Sequence, residues 1–308
     1  MQIPHYSWAW RNPLLATALL LLNGCALDFV RSPIGDRWRV VSPALPRSGP
    51  HFDRVLTIVL ENQNHDAVLA DPYFAELARS GANFTDFHGL FHPSYSNYLA
   101  MVSGKALTTH FDKQKDFPDR TIGELLTAKQ LTWKNYAEGF PGNCFTGSTN
   151  SRYARKHVPF MSFTPVLQNG CTNVVDGAQF ATDLQNGTLP AYSFYSPDLD
   201  HDGHDPVTNP SVGLKNSSIW LRGILEALRQ KPAVMKGLLI VITYDESGKK
   251  GSDENLIYTV FLGDMVKPAE YGGNYNHFNV LRTIEDNFAL GTLADGDGAA
   301  RPIVEIWK

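Results

Sequence analysis

Two pairs of oxygen-bearing side chains each follow a strongly apolar run of the sequence. Glu61 and Asn62 follow the run Val55–Leu60, and Asp245 and Glu246 follow a similar run of seven residues. Such runs of leucine and β-branched residues predict strands buried on both faces. If both strands lie in one parallel sheet, the four side chains meet at its carboxyl edge, where open α/β sheets bind ligands. Oxygen ligands of this kind suit a hard divalent cation. The alternative is that these acids are loop residues leaving the core.

A serine stands at the predicted N-terminus of a short helix. Apolar residues from Tyr98 onward predict the helix, Ser94 lies at its start, and Pro93 restricts the approach of the chain. The start of a helix favours an anion, because free backbone N–H groups and the helix dipole point at it. Ser94 is therefore a candidate nucleophile beside a bound phosphate. The alternative is that Ser94 or Ser96 only caps the helix.

A third group of ligand-type residues follows another predicted strand, at residues 191–196. It contains His201, Asp202 and His204. Paired histidine and aspartate ligands occur in two-metal phosphatases, so His201 and Asp202 could bind a second metal ion. Histidine near its ordinary pKa also suits proton transfer at mildly acidic pH, and His204 is the best placed of the histidines for that task.

Strands and helices alternate along the chain. This pattern predicts an α/β fold with a mainly parallel central sheet and helices on both faces. The predicted strands cover residues 55–60, 83–87, 132–137, 191–196, 238–244 and 255–263. The predicted helices begin near residues 72, 95, 122, 214 and 278. Residues 139–188 are rich in Gly, Asn, Thr and Ser, and we expect an irregular insertion over the ligand-binding edge of the sheet.

The first 24 residues predict a secretory signal. Arg11 precedes the nine-residue stretch Leu14–Leu22, which is too short for a membrane-spanning helix. Cys25 directly after Gly24 resembles a bacterial lipoprotein cleavage box, so we expect a lipid on Cys25, with plain secretion as the alternative. The protein is then a periplasmic or membrane-anchored lipoprotein, or a secreted one. The predicted organisation is a signal peptide at 1–24, a linker at 25–51 and a single domain at 52–308.

The charge of the chain argues against nucleic acid as a partner. The formal net charge is −4, and it becomes −5 when Arg11 is removed with the signal. A chain of this charge is not an electrostatic nucleic-acid binder. A phosphate ligand must therefore be attracted by a local site rather than by the field of the whole protein.

The cysteine count fits export. If Cys25 carries a lipid, Cys144 and Cys171 remain as an even pair, and we expect a disulfide between them. The bond would close a loop of 28 residues, which the chain-entropy model makes worth about 3.5 kcal/mol. Two buried free thiols are the alternative, less compatible with an oxidising compartment.

Several short motifs occur in the order in which one enzyme family has them. They are Glu61-Asn62, His92-Pro93-Ser94 with Asn97-Tyr98, Asp202-Gly203-His204-Asp205, Tyr244-Asp245-Glu246, and His277 followed by Glu285. Over residues 53–290 the chain resembles the bacterial phosphoesterase family of acid phosphatases and non-haemolytic phospholipases C, within the alkaline phosphatase superfamily. The stretch Tyr153–His157 resembles the secreted phosphatase branch, which includes phosphatidylinositol-phosphate phosphatases. This chain has Ser96 where the family commonly has proline.

The resemblance agrees with the chemistry of the residues. A divalent metal ion (Ca, Mg, Mn or Zn) held by Glu61, Asn62, Asp245 and Glu246 would also coordinate Ser94 and favour its ionised form. Ser94 would attack phosphorus and form a phosphoserine that water hydrolyses. The resemblance implies that Asn97 binds a phosphoryl oxygen. His204, His157 and His277 are candidates to protonate the leaving oxygen or bind a non-transferred oxygen. His277 could instead cap a helix, and His157 could lie at the surface.

The sequence therefore predicts a secreted or lipid-anchored metal-dependent phosphomonoesterase. A phospholipase C or other phosphodiesterase on the same core is the nearest alternative, and a phospholipid or phosphoinositide is among the expected substrates. A non-catalytic surface lipoprotein that binds phosphorylated ligands is an alternative of another class. Sulfatases need a modified cysteine or serine in a different local motif. We expect contact with a membrane only through a lipid anchor at Cys25.

Overall fold

The computed structural model describes residues 28–30, 39–41, 50–107, 112–204, 209–248 and 254–308. The predicted signal peptide and the predicted lipid attachment at Cys25 lie outside the described residues. The chain divides into two units between Arg47 and Ser48. In the first unit, strands β1 (Asp28–Val30) and β2 (Arg39–Val41) pair antiparallel within the stretch predicted to be a linker.

The second unit is built around an eight-stranded sheet with four shorter strands beside it. In chain order its strands are β3 (Arg54–Leu60), β4 (Ala82–Phe84), β5 (Phe87–His88), β6 (Trp133–Ala137), β7 (Thr149–Asn150), β8 (Tyr153–Ala154), β9 (Val174–Asp176), β10 (Tyr192–Ser196), β11 (Leu238–Tyr244), β12 (Thr259–Leu262), β13 (Ala269–Tyr271) and β14 (Tyr275–Asn276). The order across the large sheet is β13-β4-β12-β11-β3-β10-β6-β9.

The centre of the large sheet is parallel, as predicted. Strands β11, β3, β10, β6 and β9 run in one direction, and β12 pairs antiparallel with both β11 and β4. All seven residues of β11 are buried, and so are six of the seven in β3. Burial on both faces explains why the sequence of these strands is a continuous apolar run rather than an alternating one.

Five of the helices begin within four residues of the predicted positions. They are α1 (His65–Ala70), α2 (Pro72–Ser80), α3 (Tyr95–Ser103), α4 (Ile122–Ala128), α5 (Thr164–Gln168), α6 (Ala178–Asn186), α7 (Pro210–Arg229), α8 (Pro232–Met235), α9 (His277–Asn287) and α10 (Gly296–Ala299). Short 3-10 turns cover Arg155–His157 and Pro159–Ser162. In the part of the chain that the structure describes, no helix has the length and apolarity needed to cross a bilayer.

Two details of the helices show how side chains fix their ends and faces. Thr121 and Glu124 form a capping box at the start of α4. In α7 the buried face carries Leu221, Leu225 and Leu228, whereas Ile219 is exposed. The buried stripe of this helix follows the 3.6-residue period through Leu221.

The stretch 139–188 is more regular than predicted. It contributes the edge strand β9 and the helix α6 to the α/β layers. Both elements are short, and three residues of strand give too little pattern to be recognised. The predicted disulfide is confirmed, because Cys144 and Cys171 are bonded, with Cα atoms 5.3 Å apart. The closed loop includes the 3-10 turn at Arg155–His157.

Candidate functional site

The two central strands place the predicted ligand pairs side by side. In the parallel register, Leu60 at the end of β3 pairs with Tyr244 at the end of β11. The backbone N–H of Asp245 continues this pairing by donating to the Leu60 carbonyl at 2.9 Å. Because both chains leave the sheet at the same edge, Glu61 and Asp245 emerge next to each other. Both side chains are buried.

The Ser94 hydroxyl lies among these oxygens. Its Oγ is 2.9 Å from Glu246 Oε1, 3.2 Å from Glu61 Oε2 and 3.4 Å from Asn62 Oδ1. Asn62 in turn donates from Nδ2 to the same Glu246 oxygen at 2.6 Å, which fixes both side chains. His92 contacts the other oxygen of Glu246. The strands and helix α3 thus bring four of the predicted residues to one point.

Ser94 does not act as a helix cap. It occupies the position before α3, but its side chain makes no capping hydrogen bond. The carboxylate of Asp112 provides this contact instead, because its Oδ1 accepts from the N–H of Tyr95 at 3.1 Å. The Ser94 hydroxyl is therefore available to the cluster of Glu61, Asn62 and Glu246.

The carboxylate of Asp245 is the feature of this cluster that indicates a cation. Within the described residues, neither of its oxygens accepts a hydrogen bond, and its side chain is fully buried. Burial and the neighbouring carboxylates of Glu61 and Glu246 raise the pKa of Asp245 well above its ordinary value. A buried carboxylate without donors is stabilised when a metal ion binds it. Glu61, Asn62, Ser94, Asp245 and Glu246 therefore form an oxygen-rich set that fits a hard divalent cation.

His157 lies behind Glu61 and supports it. Its Nε2 is 3.0 Å from Glu61 Oε1, its ring stacks on Tyr98, and its Nδ1 is 3.8 Å from Asp202 Oδ2. Asp202 also accepts the backbone N–H of Glu61 through its carbonyl oxygen at 2.7 Å. Burial lowers the pKa of His157 to about 4, although Glu61 opposes this shift. The expectation of a surface position for His157 is excluded, since its side chain is only 3 % exposed.

His277 supports the site from the other side. Its Nε2–H donates to the backbone carbonyl of Asp245 at 2.7 Å, and burial lowers the pKa of the ring to about 4. The side chain of Asn276, rather than that of His277, caps helix α9. The role of His277 in proton transfer stays a prediction, and the contact that the structure gives it is with the backbone that carries Asp245.

The side chain of Asn97 forms hydrogen bonds with the loop that precedes Ser94. Its Oδ1 accepts from the N–H groups of Leu90 and Phe91, both at 2.9 Å. Its Nδ2 donates to the carbonyl of Phe91 at 2.9 Å, and the side chain is fully buried. Contact of Asn97 with a phosphoryl oxygen stays a prediction, while its observed contacts brace this loop.

A cavity of about 470 Å³ opens beside Ser94, and we call it the Ser94 cavity. The described part of its wall consists of Asn62, Gln63, Asn64, Pro93, Ser94, Asp112, Lys156, His204, Pro210, Glu246, Ser247 and Gly248. The structure thus places His204 at the wall of the cavity, and its role toward the substrate stays a prediction. Lys156 and Asp112 were not predicted from the sequence. The position of Lys156 in the Tyr153–His157 stretch was a usable signal, whereas nothing in the sequence around Asp112 pointed to the site.

His201 and Asp202 have side chains in different places. Asp202 lies beside His157, whereas His201 Nδ1 lies 2.8 Å from Glu138 Oε2 and 3.2 Å from Asp198 Oδ1. The contacts with Asp198 and Glu138 raise the pKa of His201 to about 10. A shared metal ion between His201 and Asp202 stays a prediction that their observed contacts do not support.

Glu138, Asp198 and His201 form a second group that could hold a metal ion, since their ligand atoms lie within 4.8 Å of one another. Glu138 already accepts from the Nε1–H of Trp220 at 2.7 Å and from the N–H of Asp198 at 3.1 Å. With the His201 ring protonated, this group is also a complete ion-pair network without a metal.

Comparison with known proteins adds to this geometry. The model of the phosphoesterase family matches residues 68–291. The chain is 31 % identical over 274 residues to a probable acid phosphatase from Kluyveromyces lactis, covering 84 % of this chain and 63 % of that protein. It therefore spans less than two thirds of the length of that relative. It is 32 % identical to a phosphatidylinositol-3-phosphatase from Mycobacterium tuberculosis over 94 % of each chain.

The fold has solved counterparts. A protein in the alkaline phosphatase superfamily from Vibrio parahaemolyticus superposes with a TM-score of 0.55 at 12 % identity, over 85 % of this chain and 72 % of that one. At this identity the likeness concerns the fold, and it agrees with the predicted alkaline phosphatase-like architecture.

Proposed function

The chain belongs to the phosphoesterase family, and from this premise we propose that it is a metal-dependent phosphomonoesterase of the acid phosphatase type, with Ser94 as the nucleophile. One observation carries the proposal. The Ser94 hydroxyl lies within 3.4 Å of oxygens from Glu61, Asn62 and Glu246. Beside them stands the buried carboxylate of Asp245, whose oxygens accept no hydrogen bond from the described residues.

Glu61, Asn62, Asp245 and Glu246 would hold the metal ion together with Ser94. Because every ligand atom is an oxygen, Mg²⁺, Ca²⁺ or Mn²⁺ suits the set better than Zn²⁺, which more often takes nitrogen and sulfur. A divalent cation bound there would favour the ionised form of the serine and offset the negative charge of a phosphoryl group.

The reaction uses residues that the site already orders. The hydroxyl proton of Ser94 has acceptors within reach, the nearest being Glu246 Oε1. Ser94 Oγ then forms a bond to phosphorus while the bond from phosphorus to the leaving oxygen breaks. His204, which lies in the wall of the Ser94 cavity, would give a proton to the leaving oxygen. Water would then attack phosphorus and give a proton to His204, while the bond between phosphorus and Ser94 Oγ breaks and Oγ takes back the proton held by Glu246. Phosphate is released and the hydroxyl is restored.

The expected substrates are phosphate monoesters, including phosphoinositides. The similarity to a phosphatidylinositol-3-phosphatase over almost the whole chain supports this class. A phospholipase C or another phosphodiesterase is the alternative, and a protein that binds phosphorylated ligands without turnover is a third possibility.

Export is part of the proposal. The disulfide between Cys144 and Cys171 supports it, because such bonds persist in oxidising compartments. The lipid on Cys25 would be the only contact with a membrane.

A pair of serine variants tests the nucleophile. Ser94→Ala is compared with Ser96→Ala, a buried serine two positions further along the same helix turn. We expect Ser94→Ala to lower the turnover of an aryl phosphate by about 10⁵-fold or more, and Ser96→Ala to remain within about tenfold of the wild type. Acid quench of the wild type should trap a phosphoserine at residue 94.

Metal and substrate are tested in the same assay. The wild type is given an aryl phosphate and an aryl phosphodiester, each with and without a chelator. Faster turnover of the monoester, lost with chelator and restored by one of Mg²⁺, Ca²⁺ or Mn²⁺, is the expected result. Full activity of Ser94→Ala would contradict the serine mechanism, and the absence of turnover with every metal would leave a binding protein.

A further inference from the structure

Three consecutive basic residues share one short 3-10 turn but meet different surroundings. Arg155 is buried and donates from Nε to the carbonyl of Met161 at 3.2 Å. His157 contacts Glu61 from behind. Lys156, between them, lines the Ser94 cavity. The contacts of Arg155 and His157 therefore fix the turn, and Lys156 between them lies at the wall of the Ser94 cavity.

A fixed carboxylate holds this ammonium in place. Lys156 Nζ lies 3.0 Å from Asp112 Oδ2. The other oxygen of Asp112 accepts the N–H of Tyr95, at the start of the helix that carries Ser94. Lys156 is thus tied to the first turn of the nucleophile's helix. An ammonium group has three N–H donors. Among the described residues Asp112 is the acceptor of one of them, which leaves two for a ligand in the cavity.

Lys156 is also the only lysine or arginine in the described wall of the Ser94 cavity. The wall also carries the carboxylates of Asp112 and Glu246. The carboxylates of Glu61 and Asp245 interact electrostatically with the positive charge of Lys156. Three carboxylates around one divalent cation leave an excess of negative charge. That excess repels a phosphate monoester, which carries nearly two negative charges at neutral pH, more strongly than a diester, which carries one.

A lysine that makes an ion pair at a protein surface is often of little consequence. Lys156 differs because its partner is anchored on helix α3 and because its side chain is only 32 % exposed, inside a concave wall beside Ser94. The chain also contains a lysine–aspartate ion pair that lies outside the described wall of the cavity. Lys105 Nζ lies 2.7 Å from Asp119 Oδ1, with a similar exposed fraction of 35 % for the lysine, and neither residue lines the described wall of the cavity.

We propose that Lys156 binds a non-bridging oxygen of the substrate phosphate and gives the site its preference for dianionic monoesters over monoanionic diesters. The inference rests on the proposed function and names the residue that sets its substrate class. Replacing the ammonium with a neutral group weakens the attraction for a dianion about twice as much as that for a monoanion, because the Coulomb energy is proportional to ligand charge.

The test compares Lys156→Gln, Lys156→Met and Lys156→Arg with the control Lys105→Gln. We measure kcat/KM for an aryl phosphate and an aryl phosphodiester, and inhibition by inorganic phosphate. In both neutral variants we expect the monoester value to fall about 100-fold and the diester value about tenfold, so that their ratio falls about tenfold. Inhibition by phosphate should weaken in the same variants. Lys156→Arg should keep the wild-type ratio, and Lys105→Gln should change neither value.

The outcomes separate this inference from the proposed function. If the wild type hydrolyses monoesters but the two neutral variants lose monoester and diester activity equally, the inference is overturned and the function stands. Unchanged phosphate inhibition in both neutral variants would overturn it as well. If the wild type hydrolyses neither ester, the proposed function itself fails. Two neutral side chains of different polarity keep the test valid if one variant does not fold.

Discussion

The Oγ of Ser94 lies 2.9 Å from Oε1 of Glu246, a residue 152 positions later in the chain. This distance joins the start of helix α3 to the end of strand β11. Glu246 is thus a direct neighbour of the proposed nucleophile as well as one of the proposed metal ligands.

Glu246→Gln should therefore reduce turnover of an aryl phosphate by at least about 100-fold. The amide keeps the shape of the side chain but removes the charge that the cation and the Ser94 proton require. Metal affinity, measured by calorimetry on the protein stripped of metal, should fall in parallel. Glu270→Gln, on the exposed strand β13, is the control, and equal effects of the two changes would contradict a specific role for Glu246.

His277 should matter through its hydrogen bond to the Asp245 carbonyl. His277→Phe removes the donor while keeping an aromatic ring beside Phe87, which His277 contacts edge-on. We expect a loss of about 10- to 100-fold in metal affinity and turnover. His277→Gln, which keeps an N–H donor at the end of the side chain, should recover most of it. A proton-transfer role would instead leave both variants equally inactive with unchanged metal affinity.

Glu285 should make stability depend on pH. Burial and the neighbouring carboxylate of Asp297 raise the pKa of Glu285 from 4.5 to about 9 in the folded protein. The folded state therefore holds a proton that the unfolded state releases at lower pH. The free energy of unfolding contributed by this group is full below about pH 4.5 and is lost as the pH rises to about 9.

Glu285→Gln removes this dependence, because an amide does not ionise. The melting temperatures of variant and wild type should be similar near pH 5, and the variant should melt several degrees higher at pH 9, at about 2 to 4 °C for each kcal/mol. Thermal unfolding at a series of pH values measures the difference. Parallel melting curves across the whole range would contradict the raised pKa.

The disulfide should stabilise the wall of the Ser94 cavity. Cys144 and Cys171 enclose Lys156 and His157 in one loop, so replacing both cysteines with serine should lower the free energy of unfolding by about 3 to 4 kcal/mol. Because Lys156 would be held less firmly, KM for an aryl phosphate should rise as well. Thiol labelling of unreduced wild-type protein provides the check, and labelling of both cysteines would contradict the bond.

The parts of the fold that were predicted from sequence are those with long patterns. Strands β3 and β11 were predicted within a residue at their ends, since each is a run of buried apolar residues closed by acids. Strands β9 and β13 were missed because each has three residues and gains its stability from a neighbouring strand. Neither pattern nor composition encodes the antiparallel direction of β12.

The residues of the candidate site also differ in how far the sequence predicted their positions. Glu61, Asp245 and Ser94 follow directly from strand and helix ends, so the sequence placed them together. Lys156 reaches the cavity through a turn and an ion pair with Asp112, which are relationships of tertiary structure. His157 was a candidate for proton transfer with a surface position as the alternative, and the structure instead buries it beside Glu61. Its role in proton transfer stays a prediction.

The position of β3 in the sheet has a consequence for biosynthesis. It is the first strand of the large sheet to leave the ribosome, yet it lies at the centre, between β10 and β11. Asn62 can form its hydrogen bond with Glu246 only after 184 further residues have been synthesised. A nascent chain therefore carries three of the five proposed metal ligands, Glu61, Asn62 and Ser94, until strand β11 has been made. Under the proposed mechanism, no shorter N-terminal fragment is active. Conversely, a chain break between β10 and β11 would give two inactive fragments. Recovery of turnover after the fragments are mixed would measure their reassociation.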